Sequence, residues 1–163
     1  MSFLARRILS MPRDLRKLGF ALPLLALSVI PSSGSGPSRR ADSLPAPVQA
    51  LSRCFRLQRA GELQELLQES GKIRASAPSL GLKPGYYSAD QIHFVLQDVF
   101  RVHKTLHFRI LRGAEIPPHS VRQTVLARWI YRRGDSRELT ADLSFDLVRR
   151  TGSWRLQEIR EIL

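Results

Sequence analysis

Cysteine is nearly missing from this chain: Cys54 stands alone among 163 residues. One thiol cannot close an internal disulfide or build a cysteine-based metal cluster, so the fold must hold by packing. The stretch "LSRC" at 51–54 is not a lipid-attachment box, because Arg53 adjoins the cysteine and the nearest apolar run ends far upstream. Cys54 therefore reads as a half-buried helix residue. Histidine is sparse too. His93, His103, His107 and His119 are scattered, and His103-x3-His107 straddles a helix end and a strand, where that spacing no longer puts two imidazoles on one face. The four read as surface imidazoles, and neither a metal nor a cofactor is expected. Long apolar runs are also absent from the amino-terminal region. The thirteen uncharged residues 18–30 would rise about 20 Å as a helix, short of a ~30 Å hydrocarbon core.

Acidic residues are the other shortage: 14 Asp and Glu face 26 Lys and Arg, a formal charge of +12. Residues 1–40 hold seven basic residues and one acid, so half of the excess sits in a quarter of the chain. Arg6, Arg7, Arg13, Arg16 and Lys17 precede the apolar run, and small turn-forming residues follow it. That order is the one a secretory signal peptide has. Residues 1–30 are accordingly expected to be a signal peptide or a short uncleaved membrane anchor. The domain behind them is expected to be exported, periplasmic or secreted, or held at the membrane through this segment. Residues 31–47, "PSSGSGPSRRADSLPAP", have no apolar period and read as a flexible linker.

From residue 48 the pattern is that of a folded domain. Val48, Leu51 and Phe55 share a helical stripe, which breaks near Gly61 and resumes at Leu63, Leu66 and Leu67. "KIRASA" reads as a short strand or extended piece, and "LKPGYY" as a turn. Ser88-x-x-Gln91 has capping-box spacing, and Ile92, Val95, Leu96, Val99 and Phe100 paint one stripe of a helix. The period then switches from 3.6 to 2. Leu106, Phe108 and Ile110 alternate with Thr105, His107 and Arg109; Val121, Gln123, Val125, Ala127, Trp129 and Tyr131 line one side of the next strand; Leu139, Ala141, Leu143, Phe145 and Leu147 line that of the third. "TG" at 151–152 marks a turn into a last strand. There Ile159 breaks parity with Leu156, which predicts a bulge near Gln157. The expected class is α+β: N-terminal helices packed on a curved, four-stranded antiparallel sheet over residues 48–163.

The basic cluster "RWIYRRGDSRE" at 128–138 fits a hairpin better than a nucleic-acid surface. Pairing symmetric about Asp135 keeps the apolar face intact and sets Arg128 against Asp142 and Arg132 against Glu138. Trp129 and Tyr131 then lie on the face opposite the arginines, so no joint platform for stacking bases forms.

The motifs "LQRAGELQELL", "YYSADQIHFVLQDVF", "HFRIL" and "GSWRLQEIREI", in this order, resemble a family of small exported bacterial proteins of unknown function within the nuclear transport factor 2-like superfamily. The resemblance covers residues 48–163 and implies a cone whose bent sheet wraps the helices around a pocket. Isomerases, dehydratases, transport factors and binding domains all use this fold, so it names no activity.

The expected site is a largely apolar pocket lined by Phe55, Gln123, Trp129, Tyr131 and Phe145, with no catalytic residue. Its inward positions hold no Asp, Glu or His, so the expected function is a non-enzymatic binding or interaction domain for a small apolar ligand or a protein partner. The alternative is a pocket enzyme of isomerase or dehydratase type using Tyr131 and Glu158, the latter turned inward at the bulge. The third reading is a basic surface for anionic lipid or nucleic acid, with nucleic acid disfavoured; Arg39 and Arg40, with Arg149, Arg150, Arg155 and Arg160 at the far end, are its lipid-facing candidates. Open sheet edges also leave room for a dimer.

Overall fold

The structure is a computed structural model that describes residues 44–68 and 70–162. The expected signal or anchor segment and most of the expected linker lie outside the described residues.

Among the described residues three helices and six strands follow one another: α1 (Ala46–Leu57), α2 (Gln64–Leu67), β1 (Ile73–Ala77), β2 (Leu82–Tyr87), α3 (Ala89–Val102), β3 (His103–Arg112), β4 (Arg122–Arg133), β5 (Glu138–Arg150) and β6 (Ser153–Ile162). A 3-10 turn over Ala60–Leu63 leads into α2, and another over Pro78–Leu80 joins β1 to β2. Helix α1 opens two residues before the expected boundary, with Pro47 tolerated in a first turn whose N–H groups have no intrahelical acceptor. It buries Val48, Leu51, Cys54 and Phe55. It stops at Gln58, whose left-handed backbone (φ 55°) breaks the helix. The Gln58 amide then donates to the carbonyls of Phe100 and His103, tying the end of α1 to the junction of α3 and β3. Helix α3 starts on the predicted capping box. Ser88 Oγ accepts from the Gln91 N–H at 3.2 Å, and Gln91 Oε1 accepts from the Ser88 N–H at 2.8 Å.

The sheet runs β2-β1-β6-β5-β4-β3, curved and open at both edges, and has six strands where four were expected. Strand β1 enters it parallel to β6, pairing Ala75 with Ile159, and β2 then adds antiparallel to β1 as an edge. The stretch "LKPGYY", expected to turn, is this edge. Pro84 cannot donate to a ladder, and it is accommodated because Lys83 and Pro84 together oppose Ser76 in a bulge on an edge strand.

The central hairpin follows the predicted register residue for residue: Arg128 opposes Asp142 and Arg132 opposes Glu138. In β6 the bulge falls where parity placed it. Asp146 pairs with Glu158 and Leu147 with Leu156, which leaves Gln157 as the extra residue. Strand β3 departs from simple alternation. Thr105 opposes Tyr131 while His107 opposes Ile130, so Leu106 is an extra residue, and Leu111 is a second one. The first bulge turns Thr105 to the inner face, against its sequence parity with His107 and Arg109.

Candidate functional site

The concave face of the sheet is built on β4. Val125, Ala127, Trp129 and Tyr131 point inward from it, and the small Ala127 leaves room for large rings on either side. Phe55 descends from α1 into the middle of this face. Its ring stacks on Phe108 (centroids 4.5 Å apart) and meets Phe100, Trp129 and Phe145 edge-on at 5.5, 5.6 and 5.8 Å. Such edge-on and offset arrangements suit the ring quadrupoles. Phe55, Trp129 and Phe145 each have 0% of their surface accessible. No space that admits a water molecule therefore adjoins them, and the aromatic nucleus of the cone is filled by its own side chains.

Polarity collects at one end of this nucleus, where β3 and the β4–β5 turn lie beside the end of β6. The Trp129 ring stacks on Tyr131 at 3.9 Å, and its Nε1–H donates to Thr105 Oγ1 at 2.9 Å. His103 stands edge-on to Tyr131, 5.0 Å between centroids, and its Nδ1 lies 3.1 Å from the Val99 carbonyl. A carbonyl only accepts, so Nδ1 carries a proton, and in the neutral ring Nε2 is the free acceptor. Glu161 is on the inner face as well, opposite Leu143, and its carboxylate accepts the Ser79 N–H at 2.7 Å. Burial, then the Glu161 charge, push the Tyr131 phenol above its ordinary value. Tyr131 is thus kept protonated, with its ring against His103. Ser79 Oγ is buried here with no hydrogen-bond partner.

Of the residues expected to line a pocket, Phe55, Trp129 and Phe145 come together, with Tyr131 adjoining them. They form a packed nucleus. Gln123 is elsewhere: it lies eight residues from Tyr131 along β4, about 27 Å away at strand rise. There its amide donates to the Thr124 carbonyl at 3.5 Å. Glu158 is on the other face of the sheet. The bulge at Gln157 returns Ile159 to the interior and leaves Glu158 outside, 3.2 Å from Arg160 and 3.6 Å from Arg74. The expectation that Glu158 turns inward is therefore corrected: the inward carboxylate is Glu161. Parity carried the signal, since Glu161 is two residues beyond the inward Ile159. His103 is likewise half-buried against Tyr131 and Trp129, not a surface imidazole. Among the described residues no group of three or more His, Cys, Asp or Glu side chains is gathered to hold a metal ion.

The convex face carries charge in rows. Arg128 makes a bidentate contact with Asp142 at 2.7 and 2.8 Å, which holds the Asp142 carboxyl below its usual range. Arg132 reaches Glu138 at 3.5 Å, and Arg160 lies 4.0 Å from Asp146. Strand β3 on the flank adds Arg109 directly opposite Arg128 and Lys104 opposite Arg132, so like charges face each other there.

No protein-family model matches the chain, and no curated protein does. Solved structures do. A hypothetical protein from Catenulispora acidiphila with a ketosteroid isomerase-like fold, in complex with trimethylamine, superposes with a TM-score of 0.56 at 12% identity, covering 74% of this chain and 87% of that one. A DUF4783 family protein from Bacteroides uniformis gives 0.56 at 12% identity over 69% and 93%. A putative isomerase from Rhodopseudomonas palustris gives 0.51 at 12% identity over 71% and 84%. At this identity the likeness shows the fold alone, and that fold is nuclear transport factor 2-like.

Proposed function

We propose that this chain is an exported, non-enzymatic binding module that meets its partner on the outside of the cone. The observation that carries the reading is the closed aromatic nucleus: Phe55, Trp129 and Phe145 fill the space where this fold would otherwise hold a ligand. Sites for drug-sized ligands occupy roughly 300–1,000 Å³, whereas water itself does not reach these rings. Export is supported by the basic, then apolar, then small-residue order of residues 1–40 and by the resemblance to a family of small exported bacterial proteins.

Native mass spectrometry of the chain isolated from its host tests the first half. The expected mass is that of the polypeptide alone, and a retained small molecule would overturn the reading. Amino-terminal sequencing of the cell-envelope fraction tests the second half, with a new terminus expected within residues 31–47 if the leader is removed, or the original one if it is kept as an anchor.

A second reading is favoured by one specific observation: Tyr131 and Glu161 share the inner face, and the Glu161 charge helps burial to raise the phenol. Tyr131 as donor and Glu161 as acceptor are the pair that acid–base chemistry on a small substrate needs. It requires Phe55 to leave the nucleus on binding. Chemical-shift perturbation with small amines, the class of molecule seen on the Catenulispora protein, separates the two. Shifts at Tyr131 and Glu161 support the pocket; an unchanged spectrum supports the closed cone.

A further inference from the structure

We infer that the end of the sheet formed by the β3–β4 loop and the β5–β6 turn docks on an anionic lipid surface. This names the partner of the outer surface and rests on the reading that recognition is external.

The tip comprises residues 111–122 and 148–154. It holds Arg112, Arg122, Arg149 and Arg150 against a single carboxylate, Glu115. Arg112 opposes Leu126 and Arg122 opposes Val148, so both stand on the convex face, where Arg150 also falls by parity. All four arginines are exposed. Two apolar side chains of the same tip are also left in water: Val121, 66% exposed, and Leu111, 39% exposed. Exposed aliphatics and arginines gathered at one tip are the composition that seats in a headgroup layer, apolar tips into the acyl boundary and guanidinium groups on phosphate. The tip is also braced before it meets anything. The Arg149 N–H donates to the Val121 carbonyl at 2.8 Å, and the Arg149 guanidinium donates to the Pro118 carbonyl at 3.2 Å. At Gly113 (φ +77°) a Cβ would collide with the Thr124 carbonyl, so only glycine fits that corner.

The path of the chain points to the same partner. Ala46 and Pro47, at the start of α1, line one groove with Gly152, Ser153 and Trp154 of the β5–β6 turn. The polypeptide therefore enters the described domain at the arginine-bearing end, sixteen residues after the apolar run over 18–30 closes. Nucleic acid fits less well. The exposed large apolar groups at the tip, Val121 and Leu111, are aliphatic and do not stack on bases.

The test uses the full chain in vesicles, labelled with a polarity-sensitive fluorophore at Val121→Cys. Buried Cys54 escapes labelling under native conditions. A control label goes at Ser136→Cys in the β4–β5 turn, at the opposite end of the sheet. In phosphatidylglycerol-containing vesicles the label at 121 is expected to enter an apolar, brominated-lipid-quenched environment, with the label at 136 in water. In pure phosphatidylcholine both stay in water. The ratio of docked to undocked protein should fall about fivefold for each of Arg112→Gln, Arg122→Gln and Arg150→Gln, and on the order of 100-fold for the three together. Added salt should act in the same direction. An unquenched label at 121 in anionic vesicles, or quenching indifferent to the arginines, overturns the inference. So does protection of that label by an oligonucleotide and not by vesicles. None of these outcomes would reopen the aromatic nucleus, so the non-enzymatic reading stands or falls separately.

Discussion

Replacing Phe55 with alanine is the most direct probe of whether the cone is filled. The ring is wholly inaccessible and touches Phe100, Phe108, Trp129 and Phe145. Losing its transfer free energy costs about 2 kcal/mol. A void of about 100 Å³ that its neighbours cannot close adds about 2.4 kcal/mol at the cavity coefficient. The four partners come from α3, β3, β4 and β5, and no single shift lets all of them collapse inward. The total, about 4 kcal/mol, falls within the usual range for Phe→Ala. A domain of this size commonly has 5–15 kcal/mol in all, so the variant should fold yet unfold early. With a urea dependence of about 2 kcal/mol per molar, the midpoint should drop by roughly 2 M at unchanged slope. The new space is apolar and dry, so benzene or xenon should bind it and restore part of the loss. A loss below about 1.5 kcal/mol, with no stabilisation by benzene, would refute the argument. It would mean that the neighbouring rings close over the missing one, so that the nucleus is not rigidly packed.

Three further outcomes follow from the same geometry. In a Tyr86→Phe, Tyr87→Phe background, ultraviolet titration of Tyr131 should show ionisation above the ordinary tyrosine range, and Glu161→Gln should bring it down. Because the folded-state value is raised, the stability it contributes is complete below the unfolded phenol's value and lost as pH climbs through the folded one. Cys54, pushed far above its ordinary value by burial and then by Glu62, should react with a disulfide reagent only at the rate of global unfolding; rapid labelling of native protein would contradict its burial. A double-mutant cycle on Arg128 and Asp142 should show favourable coupling at pH 7. Asp142 is depressed in the folded state, so the coupling is present above the unfolded carboxyl value and fades as pH falls through the folded one. Coupling that persists at pH 1.5 would assign it to something other than charge.

How much of this was legible in the sequence depends on how local the deciding contact is. Strands β4 and β5 alternate cleanly about Asp135, so their register followed from keeping Trp129, Tyr131, Leu143 and Phe145 on one face. The capping box at Ser88 and the bulge at Gln157 each rest on a few neighbouring residues and were equally readable. Strand β1 was harder, since its place is set by a parallel pairing with β6, more than eighty residues away in sequence. Strand β2 was masked by Pro84 and Gly85, which resemble a turn unless the strand is known to be an edge. The site suffered from the bulges. Parity put Thr105 outside, and the extra residue at Leu106 put it under Trp129. The order of elements carried the cone, but whether a ring from α1 plugs it is a matter of side-chain fit that no periodicity encodes.

The bulge at Gln157 behaves like a frameshift in the last strand. Draw that one residue into the ladder, opposite Asp146, and everything beyond it would exchange faces: Glu158 would move inside, opposite Phe145, while Ile159 and Glu161 would move out. The same letters would then describe a different interior, with a carboxylate against Phe145 and none beside Tyr131. In a protein whose inner face holds so few charges, the counting of residues along β6 decides the chemistry of the cone as surely as their identity does. A slip of one residue in the pairing of this strand is where a binding module and an acid–base site would part company.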